Sequence, residues 1–131
     1  MTDLGGHVSQ NENKCVLVVE DVDINYTLIS ILLNQLNVNC IWASNGEHAV
    51  QLCKNIPDIA LVLMDIRMPK MDGYKAAQLI KKMNKNLPVI AQTAYVSEED
   101  KIKCMEAGFN DYLTKPIYLE KLQEILTKYL K

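Results

Sequence analysis

Two unbroken apolar runs, Val16-Leu17-Val18-Val19 and Ile59-Ala60-Leu61-Val62-Leu63-Met64, constrain this chain more than any other feature. Neither alternates with polar residues, so neither suits a strand with one wet face. Each reads as a strand covered on both sides, the pattern of a parallel sheet with helices on either face. Each run also ends in acid, with Glu20 and Asp21 closing the first and Asp65 the second. Directly after Asp65 comes Ile66-Arg67-Met68-Pro69-Lys70-Met71-Asp72-Gly73, a loop punctuated by Pro and Gly. If the two runs are neighbouring parallel strands, three carboxylates meet at one edge of one sheet. Like charges repel there, so a divalent cation or a cationic side chain has to be present.

The alternation continues along the chain. Strands are expected over residues 15–20, 39–44, 59–65, 87–93 and 110–114, and helices over 23–36, 46–55, 72–83, 97–107 and 118–130. Asp23 is placed as the N-cap of the first helix, and Pro57 stops the second. Asp72 reads as a cap at a loop-to-helix step, and Gly73 as a position of special backbone geometry or close packing. Ser97 and the acids Glu98-Glu99-Asp100 open the fourth helix, and Gly108 closes it. Five such β/α units make an α/β fold, whose ligands bind beyond the carboxyl ends of the strands. Residues 1–13 are polar, contain Gly5-Gly6 and show no periodicity; they read as a flexible leader, linker or cloning remnant, with one domain over 14–131.

Composition removes several classes. A length of 131 residues supports one core, and a net charge of −2 implies no strong attraction to nucleic acid or membrane. No apolar stretch can span a bilayer and no signal peptide is visible. Cys15, Cys40, Cys53 and Cys104 stand singly, without a CxxC pair or a metal cluster with His7 or His48. They read as reduced core thiols of a cytoplasmic protein. His48 has no partner acid and reads as a surface or packing residue.

Polar groups end the strands at the carboxyl edge: Glu20-Asp21, Ser44, Asp65, Thr93, and Lys115 just past the fifth strand. Three carboxylates, a hydroxyl and an ammonium suit a phosphoryl group with a hard metal ion. Mg²⁺ takes oxygen ligands, typically one or two carboxylates plus phosphate oxygens. A lysine pairs with another phosphoryl oxygen as a point charge, and a threonine hydroxyl can donate to a third.

With Val19-Glu20-Asp21, the stretch from Met64-Asp65 to Asp72-Gly73, Gln92-Thr93-Ala94 and Tyr112-Leu113-Thr114-Lys115-Pro116, the chain resembles a response-regulator receiver domain over residues 14–131. The wording is closest to receivers of hybrid sensor histidine kinases in two-component phosphorelays. The resemblance implies a flavodoxin-like (βα)5 fold with strand order 2-1-3-4-5. It implies that Asp65 is the phosphoacceptor, taking a phosphoryl group from phosphohistidine with Mg²⁺ (or Mn²⁺). The metal ligands would be Glu20, Asp21, Asp65 and the backbone carbonyl of Arg67. Lys115 and Thr93 would contact phosphoryl oxygens, and the Lys115–Pro116 bond is expected to be cis. Thr93 and Tyr112 would form a switch pair that reaches the face of the fourth helix, fifth strand and fifth helix, the site of an expected phosphorylation-dependent dimer. Arg67 and Tyr95, two past Asp65 and Thr93, occupy positions that tune dephosphorylation. A bulky Tyr95 hindering an attacking water leans toward a slow-turnover carrier. The Glu-Asp acid pair departs from the commoner Asp-Asp but is frequent in hybrid-kinase receivers. A receiver catalyses its own phosphorylation and dephosphorylation. With no output domain expected after the fifth helix, both a stand-alone receiver and a piece of a hybrid kinase stay open.

The first helix carries more apolar residues than one stripe needs. At 100° per residue Ile29, Leu32, Leu33 and Leu36 share the core face, while Ile24, Leu28 and Ile31 lie on an adjacent one. That second face is either buried or an exposed patch for docking a histidine kinase bundle or a histidine phosphotransfer domain. Two rivals remain. A haloacid-dehalogenase-type phosphatase would use Asp65 as nucleophile but needs a second acid two residues on, where Arg67 stands. A pseudo-receiver that only binds partners is disfavoured by the complete acid, Thr and Lys set.

Overall fold

The computed structural model describes residues 14–67, 72–94 and 97–130. The leader expected over 1–13 and Tyr95, expected to tune dephosphorylation, lie outside the described residues. Strands and helices alternate as β1 (Cys15–Val19), α1 (Asp23–Gln35), β2 (Cys40–Ala43), α2 (Gly46–Asn55), β3 (Ile59–Asp65), α3 (Gly73–Met83), β4 (Val89–Thr93), α4 (Glu98–Ala107), β5 (Asp111–Thr114) and α5 (Leu119–Tyr129). All strand pairs are parallel and the sheet runs β2-β1-β3-β4-β5. The switch in strand order therefore falls between β1 and β3, the two strands that end in acid.

The unbroken apolar runs are explained by two cores. Along β1 and β3 the side chains alternate between faces. Leu17, Val19, Val62 and Met64 pack with Ala49 of α2, Ala76 and Ile80 of α3 and Ala107 of α4. Val16, Val18, Leu61 and Leu63 pack with Ile29 and Leu33 of α1 and Leu122 and Leu126 of α5. A polar residue at any of these strand positions would face a dry helix layer. On β4 the polar Gln92, beside Thr93, is fully buried all the same, and its amide has no hydrogen-bond partner among the described residues. The four cysteines are free and take small-hydrophobe positions against these cores. Burial pushes the Cys53 thiol up to about 11, which keeps it protonated and inert.

Several helix ends follow the expected chemistry. Asp72 accepts from the Lys75 amide at 2.9 Å as the N-cap of α3. Ser97 and Asp100 form a reciprocal capping box on α4, and Gly108 closes that helix at φ 95°. The α1 start differs from expectation. Val22 is the N-cap, without a side-chain cap bond, and Asp23 is the first helical residue. One step inside the helix, the Asp23 carboxylate still lies in the first turn, where the helix dipole favours it. Strand β4 begins at Val89 rather than at 87, because Pro88 has no N–H to give a ladder; its carbonyl accepts from Val62 instead.

Candidate functional site

The carboxyl edge at the β1–β3 switch point gathers the acids. The parallel register sets Val19 beside Met64, so the residues that follow them, Glu20 and Asp65, emerge together. Glu20 and Asp65 are 1% and 5% exposed, while Asp21 faces solvent. Carboxylate oxygens of Glu20, Asp21 and Asp65 lie within 4.8 Å of one another. Lys115, carried by the β5–α5 connection, enters from the other side. Its Nζ lies 3.0 Å from Asp65 Oδ2 and 3.3 Å from Glu20 Oε1. The Lys115–Pro116 peptide is cis, as expected. The Lys115 amide donates to the Thr93 carbonyl at 2.8 Å, which ties the end of β4 to the same loop.

The charges do not balance, and the titration behaviour reflects this. Burial, then the charge of Asp65, pushes the Glu20 carboxyl above the usual carboxylate range; Lys115 and Asn25 oppose this without cancelling it. Burial alone would lower Lys115, but its hydrogen bond to Asp65 and the charges of Asp65 and Glu20 outweigh that and leave it raised. One ammonium is thus held firmly by two carboxylates that still repel each other, with a third beside them.

The other expected residues take definite places. Arg67 is exposed, and its amide donates to Asp65 Oδ1 at 2.9 Å. Thr93 is buried at the end of β4. Tyr112 on β5 is exposed, with its hydroxyl against Lys101 of α4, whose ammonium is raised by Glu98 first and by Tyr112 second. Ile24, Leu28 and Ile31 are 58%, 56% and 49% exposed, which resolves the two options for α1 in favour of an open apolar face. Leu28, Ile31 and Leu32 line a groove of about 520 Å³ with Lys115, Pro116 and Ile117.

Three contributors escaped the sequence reading. Asn25 Nδ2 donates to Glu20 Oε2 at 3.4 Å, the Trp42 indole donates to the Glu20 carbonyl at 2.7 Å, and Tyr26 stacks on Trp42. None falls in a motif; each acts across an element boundary that only the fold closes. Gly73 was identified, and its reason is now specific. A Cβ there would lie 2.6 Å from Ile66 Cα and 2.7 Å from the Asp65 carbonyl oxygen, so glycine is what lets α3 begin against the loop after Asp65.

The response regulator receiver domain family matches residues 16–127. The chain belongs to that family. The receiver is 41% identical over 123 residues to the sensor histidine kinase RcsC of Escherichia coli K12, covering 93% of this chain and 13% of that protein. It is 40% identical over 116 residues to the histidine-protein kinase BarA of the same organism, covering 87% of the chain and 12% of that protein. The receiver thus spans about an eighth of the length of these curated relatives, which are sensor histidine kinases. Among solved structures, the receiver domain of a Pseudomonas aeruginosa sensor histidine kinase superposes with a TM-score of 0.82 at 34% identity, covering 89% of this chain and 97% of that one. That structure has a magnesium ion coordinated in its active-site cleft. The Saccharomyces cerevisiae receiver domain of Ssk1, solved with the histidine phosphotransfer protein Ypd1, gives 0.82 at 32% identity, covering 88% of each chain. As a receiver domain the chain is a phosphoacceptor module of two-component signalling, and its strand order is that of the flavodoxin-like fold. Among the described residues no helix is long and apolar enough to cross a membrane.

Receiver domains bind a divalent metal at an acidic site, and the residues here fit one. The cluster offers oxygen donors only, at mutually close range, with more negative charge than Lys115 neutralises. Hard cations such as Mg²⁺ and Mn²⁺ favour such a set.

Proposed function

We propose that Asp65 is the phosphoacceptor and that it takes its phosphoryl group from a phosphohistidine. The observation that carries this reading is Asp65 itself: a buried carboxylate at the switch point, 3.0 Å from the Lys115 ammonium and grouped with two further acids. A carboxylate oxygen attacks phosphorus in line, a P–O bond forms, and the P–N bond to the imidazole breaks with its electron pair returning to nitrogen. Positioning and charge stabilisation do most of the work in such a transfer. Lys115, already at Asp65, neutralises one phosphoryl oxygen, and the Thr93 hydroxyl donates to another. Glu20, Asp21, Asp65 and the Arg67 carbonyl would hold Mg²⁺ or Mn²⁺, which would offset charge on the phosphoryl oxygens. Thr93 and Tyr112 form the switch pair: Thr93 moves toward the phosphoryl group and Tyr112 turns inward from its present exposed position. Arg67 and Tyr95 set the lifetime of the acyl phosphate, with Tyr95 slowing water attack. The exposed α1 face, through Ile24, Leu28 and Ile31, receives a helical phosphodonor, either a histidine kinase bundle or a histidine phosphotransfer domain. The receiver domain of Ssk1, a relative with this fold, was solved with the histidine phosphotransfer protein Ypd1, which supports a partner of that class. The parent is a cytoplasmic-facing hybrid histidine kinase or a free receiver, with no direct nucleic-acid contact. A phosphorylation-dependent dimer would use the α4–β5–α5 face, where Ile102, Met105 and Tyr112 are exposed.

The test is to phosphorylate with a phosphorylated histidine phosphotransfer domain, reduce with borohydride and map the product. Conversion of residue 65 to homoserine supports the reading. Sustained turnover of a generic phosphate ester, without transfer from the phosphohistidine donor, would favour the phosphatase rival.

A further inference from the structure

We propose that Trp42 is a positioning residue for the metal-binding acids, acting through the main chain of Glu20. The inference rests on the reading that Glu20 and Asp21 hold the divalent cation. Glu20 lies just past the end of β1, where a strand normally loses its ladder partners. Its N–H still donates to the Ala43 carbonyl of β2 at 3.0 Å. Its carbonyl has a side-chain partner, the indole N–H of Trp42, at 2.7 Å. The ladder between β1 and β2 is thereby extended by a side chain through the residue that carries the first acid.

The indole is itself held. Tyr26 of α1 stacks on it with ring centroids 4.9 Å apart and planes 8° from parallel, and the Tyr26 hydroxyl lies 3.5 Å from Cys40 Sγ. The residue beside Tyr26, Asn25, donates to Glu20 Oε2 at 3.4 Å. These contacts form a closed ring: Glu20 carbonyl, Trp42 indole, Tyr26 ring, the first turns of α1, Asn25, and back to the Glu20 carboxylate. Both backbone groups and the carboxylate of Glu20 are thus fixed before any cation arrives, and Asp21 is the next residue along. Repulsion among the acids would otherwise drive this short connection outward. A preset carboxylate binds a cation more tightly than one that must first be ordered.

Trp42 is the only tryptophan in the chain, so its signals are unambiguous. The test is a calorimetric Mg²⁺ titration of the parent, of Trp42→Phe, which loses the N–H donor but keeps an aromatic ring, and of Leu126→Ala, a change on α5 that removes buried apolar volume but none of the named contacts of the ring. Thermal melts accompany each titration. The expected result is Mg²⁺ affinity about three- to tenfold weaker in Trp42→Phe, the effect of one lost hydrogen bond, and within about twofold of parent in Leu126→Ala. In the parent, the single indole N–H resonance should shift with the same midpoint as the calorimetry. Parent-like affinity in Trp42→Phe, affinity that merely tracks stability across both variants, or an indole resonance that stays still while Mg²⁺ binds would each overturn the inference and leave the metal site standing. A parent that binds no Mg²⁺ would remove the metal reading and this inference with it.

Discussion

Glu20 illustrates how a single residue can trade stability for a site. Its carboxyl is raised by burial and by Asp65, so ionising it costs the metal-free folded state. The sign follows from linkage: a group whose folded pKa is raised contributes stability that is full below the unfolded value, about 4.3, and is lost as pH rises through the folded value. Glu20→Gln removes the ionisation. At neutral pH the metal-free variant should melt about 2–5 °C above parent, measured by circular dichroism, and should bind Mg²⁺ at least about tenfold more weakly. An unchanged or lower melting temperature would contradict the charge-excess account. The acids themselves were legible because they terminate apolar runs, where a packing role is unavailable to them. Asn25, Tyr26 and Trp42 were not legible. Their contacts to Glu20 and to one another join residues up to 22 positions apart in sequence, and nothing in the sequence around Trp42 distinguishes it from an ordinary strand aromatic.

At the scale of elements, α3 and α1 do different work on the same edge. Helix α3 begins against the peptide that follows Asp65, with the Gly73 amide donating to the Ile66 carbonyl at 3.3 Å. Gly73→Ala would drive its Cβ into main-chain atoms that cannot swing aside. The expected cost is about 1–3 kcal/mol in urea denaturation, with slower phosphorylation from acetyl phosphate because the end of β3 must shift. Helix α1 instead leaves Ile24, Leu28 and Ile31 open. Leu28→Asp should slow transfer from a phosphorylated histidine phosphotransfer domain about tenfold or more while leaving phosphorylation by acetyl phosphate within about twofold of parent. Equal losses with both donors would show that α1 supports the site rather than the partner. Element identities were readable from periodicity, since the buried runs are too short and continuous for surface helices. Element ends were less so. The cap of α1 fell one residue early on Val22, because the β1–α1 connection is set by the contacts of Glu20 and not by a capping side chain. Whether the second α1 face was open could not be decided from its spacing alone, because that depends on how closely α5 and the Lys115–Ile117 loop approach.

Across the whole molecule, the parallel order β2-β1-β3-β4-β5 is what turns scattered residues into one site. It brings residues 20, 65 and 115 into contact although 50 or 95 positions separate Lys115 from its two acid partners. Alternation alone pointed to a parallel sheet; the order came from the resemblance and is now seen in the register. Because the cation would bind the folded acid cluster and not the dispersed acids of the unfolded chain, Mg²⁺ should stabilise the entire domain. A tenfold excess over its dissociation constant is worth about 1.4 kcal/mol, a rise of roughly 3–5 °C in Tm, and a chelator should reverse it. A melting temperature indifferent to Mg²⁺ would argue against the acid cluster as its site. The most direct test of the central claim is the intact mass of the protein after incubation with acetyl phosphate, with and without Mg²⁺, beside Asp65→Asn. The account predicts a single phosphate adduct that requires Mg²⁺ and is absent from the folded variant. An adduct that persists in Asp65→Asn, or no adduct on the folded parent with either acetyl phosphate or a phosphorylated histidine phosphotransfer domain, would contradict it.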